Sequence, residues 1–473
     1  MILWGHRFES CSAGSSGELM SENKKTIVGK INPDVLSFTV GLDPILDLNL
    51  AVWDCIGTAA HVTMLSKMKV KPAVLTVAER NKVLKALVEI IEEMKQGKFT
   101  ITEADQDVHL AVERRLTERL GELGRKVHTG RSRNDQVAVD IRLHVRDELL
   151  GLTDEIATLS DELVRFGKRH EKLPMVGRTH LQPAMPSSVG VWSTGYAEAL
   201  LDDLILVEAA YMFNDKCPLG SAAGYGVPLP IDRNLTAKLL GFSVPHHNVF
   251  HASNMRGKNE AILLSACGQI MLTLSRLAED LILFSMPEFG YFALPPDLCT
   301  GSSIMPQKYN PDVLELIRAK TAVVLGLGSA ANNLLKSMPG GYNRDLQESK
   351  ALYMEGLRVT RASLRIMTLL ACSLGVHEER LRAGFTPGVF ATDVALELVA
   401  GGMPFRDAYQ QVRSNLEALA SEDPDKALAK KSHLGSTGGL DFKLYRTRIQ
   451  QTRNWATAER KRFATTFKKL LGC

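Results

Sequence analysis

The sequence predicts an all-α protein built around a central bundle of long helices. After Arg256, apolar residues recur at steps of three or four, at Leu263, Ala266, Ile270, Leu274, Leu277, Leu281 and Phe284. This period is typical of an amphipathic helix. It also appears in residues 137–169, 189–213, 313–335 and 350–374, and each of these segments exceeds the roughly 11-residue mean of globular helices. No heptad pattern persists over several turns, so the pattern favours a globular bundle over a coiled coil.

The length of 473 residues predicts more than one domain, since a single domain takes roughly 100–200 residues. We predict an N-terminal, mostly helical domain over residues 1–125. Within it, the Ser-, Gly-, Glu- and Lys-rich stretch 9–33 is predicted to be a loop or a disordered arm. Residues 126–376 are predicted to form the long-helix bundle. Residues 377–473, where Gly and Pro punctuate shorter helical pieces, are predicted to form a small C-terminal helical domain.

Composition narrows the classes of function. The 57 basic and 53 acidic side chains give a net charge of +4 without long runs of either sign, so no nucleic-acid or membrane partner is expected. The seven cysteines are scattered and form no Cys-x-x-Cys pair, which predicts neither a disulfide framework nor a zinc site. Neither a signal peptide nor an uninterrupted apolar span is found, so we expect a cytoplasmic location. We expect no metal and no cofactor.

The segment Gly301–Asp312 holds a Gly-Ser-Ser turn, a lysine and a helix start within a dozen residues. These are suitable parts for removing a proton next to a carboxylate. Asn310 followed by Pro311 predicts a helix N-cap and a first helical residue. Glu315 then lies on the first turns of that helix.

Two more polar segments precede predicted helices. Thr129–Gln136 contains two arginines and Asn134. It suits recognition of a dicarboxylate as well as it suits a capped helix start. His180 precedes a helix predicted to begin near Ser188, and it is a candidate either for proton transfer or for capping. Glu315 is a candidate to orient the imidazole of His180.

Two candidates for substrate contact remain ambiguous at this level. His109 suits either a substrate site or the core of its helix. Tyr342, Gln347 and Lys350 come from a loop that passes into a helix, where helical spacing puts Gln347 and Lys350 on one face. That face suits either a ligand or solvent.

Gly301–Asn310 matches the GSSxMPxKxN signature of the fumarase/aspartase superfamily at every fixed position. Together with Thr129–Gln136 and Tyr342–Lys350, it makes the chain resemble argininosuccinate lyases from Leu3 to about Arg406. The resemblance implies a three-region, fumarase/aspartase-like fold and a homotetramer whose active sites are each assembled from three subunits. It also implies cofactor-free, general acid/base cleavage of argininosuccinate to arginine and fumarate.

The resemblance also implies roles for the candidate residues. Ser302 would remove the proton next to the carboxylate, and Lys308 with Asn310 would stabilise the dianionic intermediate. His180, braced by Glu315, would handle the proton on the leaving nitrogen, although the acid and base roles of Ser302 and His180 stay open. The implied substrate-binding residues are Asn134 and Thr179 for the succinyl carboxylates, Tyr342, Gln347 and Lys350 for the arginine part, and Ser132, Arg133 and His109 beside them.

The chain departs from the family pattern at several places, among them the N-terminal segment, where the substrate-contacting serine of many members has no clear counterpart around residues 38–42. Tyr309 stands where many members have a second lysine, and Ser349 replaces a common aspartate. Two alternatives therefore remain at this level: a lyase for a different N-substituted succinate, or a non-catalytic structural homologue. Retention of Ser302, His180 and Lys308 argues against the second.

Overall fold

The computed structural model describes residues 25–26 and 29–472. Most of the predicted arm 9–33 lies outside these residues. In its described part, Lys25–Thr26 (β1) pairs antiparallel with Gly29–Lys30 (β2), and the first helix begins at Pro33. That stretch is therefore not wholly loop. The all-α prediction is confirmed, because helices make up most of the described chain.

The N-terminal helices start at well-defined caps. The Asn32 side chain accepts hydrogen bonds from the N–H groups of Asp34 and Val35, and Thr76 forms a capping box with Glu79. Both arrangements satisfy N–H groups that a helix start leaves without partners. The helices are α1 Pro33–Val40, α2 Asp43–Leu46, α3 Ala51–Leu65, α4 Val77–Lys95, α5 Val108–Leu120 and α6 Glu122–Arg125.

The central region is the predicted bundle of long helices. Its helices are α7 Arg133–Arg169, α8 Val189–Asn214, α9 Arg233–Leu239, α10 Val249–Asn254, α11 Lys258–Ser285, α12 Asp312–Leu335 and α13 Ser349–Ser373. The five long ones match the five predicted segments to within a few residues. They agree because apolar residues recur along each segment at helical spacing and most of them are buried against the other helices.

Side-chain contacts fix the directions of these helices. Ser193 Oγ on α8 donates to the Leu163 carbonyl on α7 at 2.7 Å, while Thr321 Oγ1 on α12 donates to Met271 O on α11 at 3.0 Å. Arg361 on α13 pairs with Glu155 on α7 at 3.0 Å. Further contacts give each pair its direction: Arg142 on α7 with Phe213 on α8, Arg318 on α12 with Glu279 on α11, and Arg361 and Arg365 on α13 with Glu148 and Glu155 on α7. Trp192 and Asp203 on α8 bond Asp280 and Thr273 on α11, which makes these two helices antiparallel. Thus α7, α11 and α13 run one way, and α8 and α12 run the other way.

The bundle therefore has two ends, which we name after residues that lie there. The Lys350 end holds the starts of α7, α11 and α13. The Ser302 end holds the start of α12 and the link between α7 and α8. Because a helix rises 1.5 Å per residue, the 25-residue α13 separates the two ends by about 37 Å.

The longest strands form a hairpin at the Ser302 end, Pro174–Thr179 (β3) with Gln182–Ser188 (β4). The sequence did not predict it, because Pro183 and Pro186 break the alternation expected of a strand. The helix predicted near Ser188 is confirmed, and Ser188 caps α8. The short remaining strands are β5 Lys216–Cys217, β6 Val244–Pro245, β7 Phe292–Ala293, β8 Thr300–Gly301, β9 Tyr309–Asn310 and β10 Gly375–Val376.

The C-terminal helices divide between two cores. They are α14 Glu378–Ala383, α15 Ala391–Ala400, α16 Phe405–Ser414, α17 Pro424–Lys430 and α18 Phe442–Leu471. Ala395, Ala408, Val412 and Leu419 form a small separate core. The buried side chains of α18 instead belong to the main core, which also holds those of α3 and α7. The predicted domain 377–473 thus contains a final helix that packs on the bundle.

One described helix, α11, is long and apolar enough to cross a membrane by length and composition alone. Within its apolar window, 61% of the residues are buried inside the protein. Its apolar side chains pack against the neighbouring helices, as expected for a core helix of the bundle.

Candidate active site

The loop that carries Ser302 is a short hairpin placed directly before α12. Thr300 and Gly301 pair antiparallel with Asn310 and Tyr309, and the Thr300 hydroxyl hydrogen-bonds the Asp312 carboxylate. The prediction of Asn310 as the N-cap is therefore wrong. Its backbone belongs to the strand pair, so the cap position falls on Pro311 and the helix begins at Asp312.

The Ser302 hydroxyl lies against backbone N–H groups. Its Oγ accepts from Met305 N at 3.1 Å and from Ile304 N at 3.4 Å. These donors would stabilise negative charge on Oγ, which is what a serine needs in order to act as a base. Lys308 and Glu315 are exposed in the single chain.

His180 occupies the turn between β3 and β4. His180 and Leu181 both have positive φ, 53° and 61°, which is rare for residues with a side chain and recurs at functional sites. Arg178 braces the turn by donating to Leu181 O at 3.0 Å. His180 and Glu315 both lie at the Ser302 end, but no hydrogen bond joins them within the described part of one chain.

At the Lys350 end, α7 starts with a capping box between Ser132 and Asp135. Ser132 Oγ accepts from Asn134 N at 3.3 Å, and Arg133 Nε lies 3.3 Å from Asp107 Oδ2. Asn134 is half-buried. The capped helix start is confirmed, and a dicarboxylate role is compatible with it.

His109 lies beside this helix start and is buried. Its Nδ1 is 2.7 Å from Asp54 Oδ1 and 3.6 Å from Asp140 Oδ2. Although burial favours the neutral imidazole, the hydrogen bond and charge of Asp54 raise the pKa of His109. Burial and the Asp54 charge raise the pKa of the Asp140 carboxyl well above its usual value.

The ligand atoms of Asp54, His109 and Asp140 lie within 4.8 Å of one another, so their spacing also suits a metal ion. The Asp54 to His109 hydrogen bond and the nearby guanidinium of Arg131 already balance the two acids. The arrangement therefore has an explanation as a charge network.

Lys350 turns inward and is buried, contrary to an exposed face shared with Gln347. Its Nζ lies 2.7 Å from both Asp43 Oδ1 and Asp47 Oδ1. Gln347 lies in a 3-10 turn, Arg344–Glu348, which leads directly into α13. Its Nε2 donates to the Thr39 carbonyl at 3.0 Å.

Asp43 and Asp47 are polar residues at this end that sequence reasoning missed. They lie four residues apart, on the one-turn helix α2 and the residue that follows it. Like charges at this spacing repel unless a cation lies between them. Two acids four residues apart were therefore the feature of the sequence that could have predicted a cation between them.

Tyr342 is held by neighbours from another loop. The guanidinium carbon of Arg256 lies 5.2 Å from the centre of the Tyr342 ring. The preceding Gly341 N donates to Asn254 Oδ1 at 2.7 Å. Tyr342 itself remains 38% exposed, so it is open to a ligand.

The structure thus collects the candidates into two groups. Ser302, His180, Lys308, Glu315, Asn310 and Thr179 lie at the Ser302 end. Ser132, Arg133, Asn134, His109, Tyr342, Gln347 and Lys350 lie at the Lys350 end. About 37 Å of helix separates the groups, since α13 has 25 residues.

The fold is shared with solved lyases. The structure of EDDS lyase in complex with formate matches with a TM-score of 0.78 and 24% identity, covering 93% of this chain and 94% of that one. The class II fumarase from Schistosoma mansoni matches with a TM-score of 0.65 and 16% identity over 85% of this chain and 98% of that one. The model of a family described as lyases matches residues 48–326. The class defined by fold and sequence is that of these lyases.

Curated relatives narrow the class. Argininosuccinate lyase of Sorangium cellulosum (strain So ce56) is 42% identical over 412 residues, covering 87% of this chain and 95% of the relative. Argininosuccinate lyase of Thermotoga neapolitana is 42% identical over 382 residues, covering 81% and 95%. The chain belongs to the argininosuccinate lyase family.

Proposed function

We propose that the protein cleaves L-argininosuccinate to L-arginine and fumarate, the last step of arginine synthesis. Family membership supports the substrate. The observation that carries the chemistry is the Ser302 hydroxyl held against two backbone N–H groups at 3.1 and 3.4 Å. If Ser302 is the base, these donors would stabilise its alkoxide form, which would take the proton beside the succinyl carboxylate and become the hydroxyl again.

The proton to be removed is only weakly acidic, because its loss puts a second negative charge beside a carboxylate. Preplaced positive charge and donors must therefore meet that charge as it develops. Lys308 and Asn310, on the same hairpin as Ser302, would supply them. Thr179 and Asn134 would hold the succinyl carboxylates.

The leaving nitrogen needs a proton as the carbon–nitrogen bond breaks. His180, presented at the tip of the β3–β4 turn, would exchange that proton, with Glu315 orienting its ring. Which of Ser302 and His180 acts as base is left open. Both assignments place the same pair of groups on either side of the breaking bond.

Each active site would be shared between subunits of a homotetramer. Two observations support this assembly. One substrate cannot span the roughly 37 Å between the two groups within one chain, as the 25 residues of α13 separate them. The bundle helices also expose large apolar side chains, including Ile205, Met212, Leu316 and Val323, which a subunit contact would cover. We also propose a cytoplasmic location.

The test follows fumarate by its absorbance when the purified protein meets argininosuccinate. Ser302→Ala should lower kcat by about 10²–10⁴-fold, the usual contribution of a general acid or base. Ser303→Ala is the matched control in the same loop and should lose far less. Fumarate release that is unchanged in Ser302→Ala would contradict the role of this loop. No fumarate from argininosuccinate with the wild type would contradict the substrate.

A further inference from the structure

We propose that Arg178 is a positioning residue for His180. It ties the β3–β4 turn to buried aromatic side chains and so holds the imidazole where it exchanges the proton of the leaving nitrogen. The inference rests on the proposed function and deepens it, because it gives a kinetic role to a side chain that acts through His180 rather than on the substrate.

The turn at the tip of the hairpin has a conformation that its own residues disfavour. Thr179 pairs with Gln182, so His180 and Leu181 form a two-residue loop, and both have positive φ, 53° and 61°. Such loops usually carry Asn and Gly. The pairing register also shifts just before Arg178, an irregularity that re-aims side chains. Contacts outside the turn must therefore hold it.

Arg178 joins the turn to an aromatic wall, by which we mean Phe284, Phe289 and Tyr291. Its Nη1 donates to Leu181 O at 3.0 Å, and its Nη2 donates to the Tyr291 hydroxyl at 3.4 Å. The guanidinium carbon lies 4.7 Å from the centre of the Phe289 ring, which is the distance of a cation–π contact. One planar group thus bonds the turn, bonds the wall and packs on it, a combination that the fork of an arginine provides and an ammonium group does not.

The aromatic wall is a firm support. Tyr291 is 2% exposed, and the centre of its ring lies 5.6 Å from that of Phe284 and 5.4 Å from that of Phe289. Its N–H donates to Phe284 O at 2.8 Å, and its carbonyl accepts from His377 N at 3.0 Å. Tyr291 and Phe284 belong to the main core. Through Arg178, the turn is therefore fixed to the bundle and not only to its own hairpin.

Charge balance does not explain the place of Arg178. Within the described part of the chain, its guanidinium pairs with no carboxylate, and its Nε is buried without a hydrogen-bond partner. A buried polar atom without a partner costs stability. The guanidinium thus lies where its bonds to Leu181 and Tyr291 require, and not where water or an acid would satisfy it best.

The rest of the hairpin has supports of its own. Lys431 Nζ donates to the Pro186 carbonyl at 2.7 Å, and Ser188 caps α8 by accepting from Val191 N. Loss of the Arg178 contacts should therefore loosen the tip and leave the protein folded. A misplacement of about 1 Å can cost about 10²-fold in rate. Because other groups hold the bound substrate, the effect should appear in kcat more than in KM.

The experiment places Arg178→Met in two backgrounds, the wild type and His180→Ala, and follows fumarate release from argininosuccinate. Methionine keeps an apolar contact with Phe289 but donates no hydrogen bond. In the wild type, the change should lower kcat by about 10–100-fold and change KM by less than about threefold. In His180→Ala, it should lower kcat by less than about twofold, because residues that act through one another are non-additive.

Equal losses of kcat in the two backgrounds would overturn the inference, since a residue that only stabilises the fold affects both alike. An unchanged kcat in the wild-type background would overturn it as well. Arg382→Met is the matched control. It removes an arginine of α14 that pairs with Asp425 at 2.8 Å, and it should change neither kcat nor KM.

Tyr291→Phe decides the question if Arg178→Met does not fold. It removes only the hydroxyl that accepts from Arg178 and keeps the ring in the aromatic wall. It should lower kcat by about threefold in the wild type and leave His180→Ala unchanged, as a coupled pair requires. No effect in the wild type, or the same effect in both backgrounds, would contradict the role of the wall. Failure of the proposed function looks different, since the wild type would then release no fumarate from argininosuccinate.

Discussion

His109 shows how a single buried histidine combines structure and charge. Its apolar surroundings on α5 made a core position and a substrate position equally good predictions. The structure buries the ring and points Nδ1 at Asp54, 2.7 Å away. Sequence alone could not identify this partner, because 55 residues separate the two. The assignment of His109 to substrate binding stays a prediction.

Breaking this pair should be costly. Asp54→Asn removes the charge that supports a buried imidazolium, and losing one partner of a buried pair costs about 3 kcal/mol or more. Urea denaturation of the wild type and the variant would measure the difference in free energy of unfolding. Asp297→Asn, on a surface turn, is the control and should change it little. A loss below 1 kcal/mol in Asp54→Asn would show that the pair carries little charge.

The same pair should give the stability a pH dependence. Burial lowers the pKa of His109, but the hydrogen bond and charge of Asp54 raise it, and the net change on folding is a rise. Protonation of His109 therefore favours the native state. Its contribution is full below the unfolded value of about 6.5 and disappears as pH rises through the raised native pKa. Melting temperatures between pH 6 and 9 should show a decline that is shallower in His109→Gln. Parallel curves for the two proteins would exclude this cause.

At the scale of elements, the long helices were predictable and the β3–β4 hairpin was not. Apolar residues recur over at least six turns of each long helix, so the helices were recognisable from local pattern. On α8 they cover both faces, so the pattern did not tell which face is buried, and Ile205 and Met212 stay exposed. The hairpin turns at His180 and Leu181, which have positive φ although neither is the Gly or Asn that usually occupies such positions. The sequence alone left His180 open between proton transfer and capping, and the resemblance favoured the first; neither predicted the turn that carries it.

Leu181 should therefore be a strained position. Leu181→Gly removes the cost of a side chain at φ 61° and should raise the free energy of unfolding by about 1 kcal/mol. Leu181→Val should lower it, because a branched Cβ fits this conformation worse. Chemical denaturation of both variants measures the effect. Equal stability of the two would mean that the turn relaxes without cost.

The last helix should behave as part of the bundle. Ile449 on α18 is 2% exposed within the main core, whereas Val412 on α16 belongs to the small core. Ile449→Ala should destabilise the main unfolding transition by about 3 kcal/mol. Val412→Ala should mainly raise hydrogen exchange within residues 391–421. Exchange that rises there equally in both variants would argue for a single C-terminal unit.

At the scale of the whole molecule, the two groups of candidates lie at opposite ends of one rigid bundle. The sequence placed these residues on separate motifs but held no information on their separation in space, which depends on helix directions set by packing. The Asp43, Asp47 and Lys350 cluster was missed for the same reason, since 303 residues separate Asp47 from Lys350.

Shared sites make a specific prediction for mixed assemblies. Ser302→Ala and Gln347→Ala, each weakly active alone, should regain fumarate release when they are denatured together and refolded, because some sites then combine two intact ends. Ser302→Ala mixed with Lys308→Ala is the control. Both changes lie on one hairpin, so no mixed site receives an intact loop. Equal recovery in both mixtures would contradict sharing between the ends.

The length of the bundle also bears on how activity begins after synthesis. A newly folded copy holds its proton-transfer groups and its arginine-binding groups about seven turns of helix apart, the length of the 25-residue α13, and no bending of a packed bundle brings them together. On the proposed assembly, such a copy is inert toward free argininosuccinate until it meets others. Specific activity should then fall on dilution toward the dissociation constant of the assembly, so the concentration of the protein itself acts as the switch.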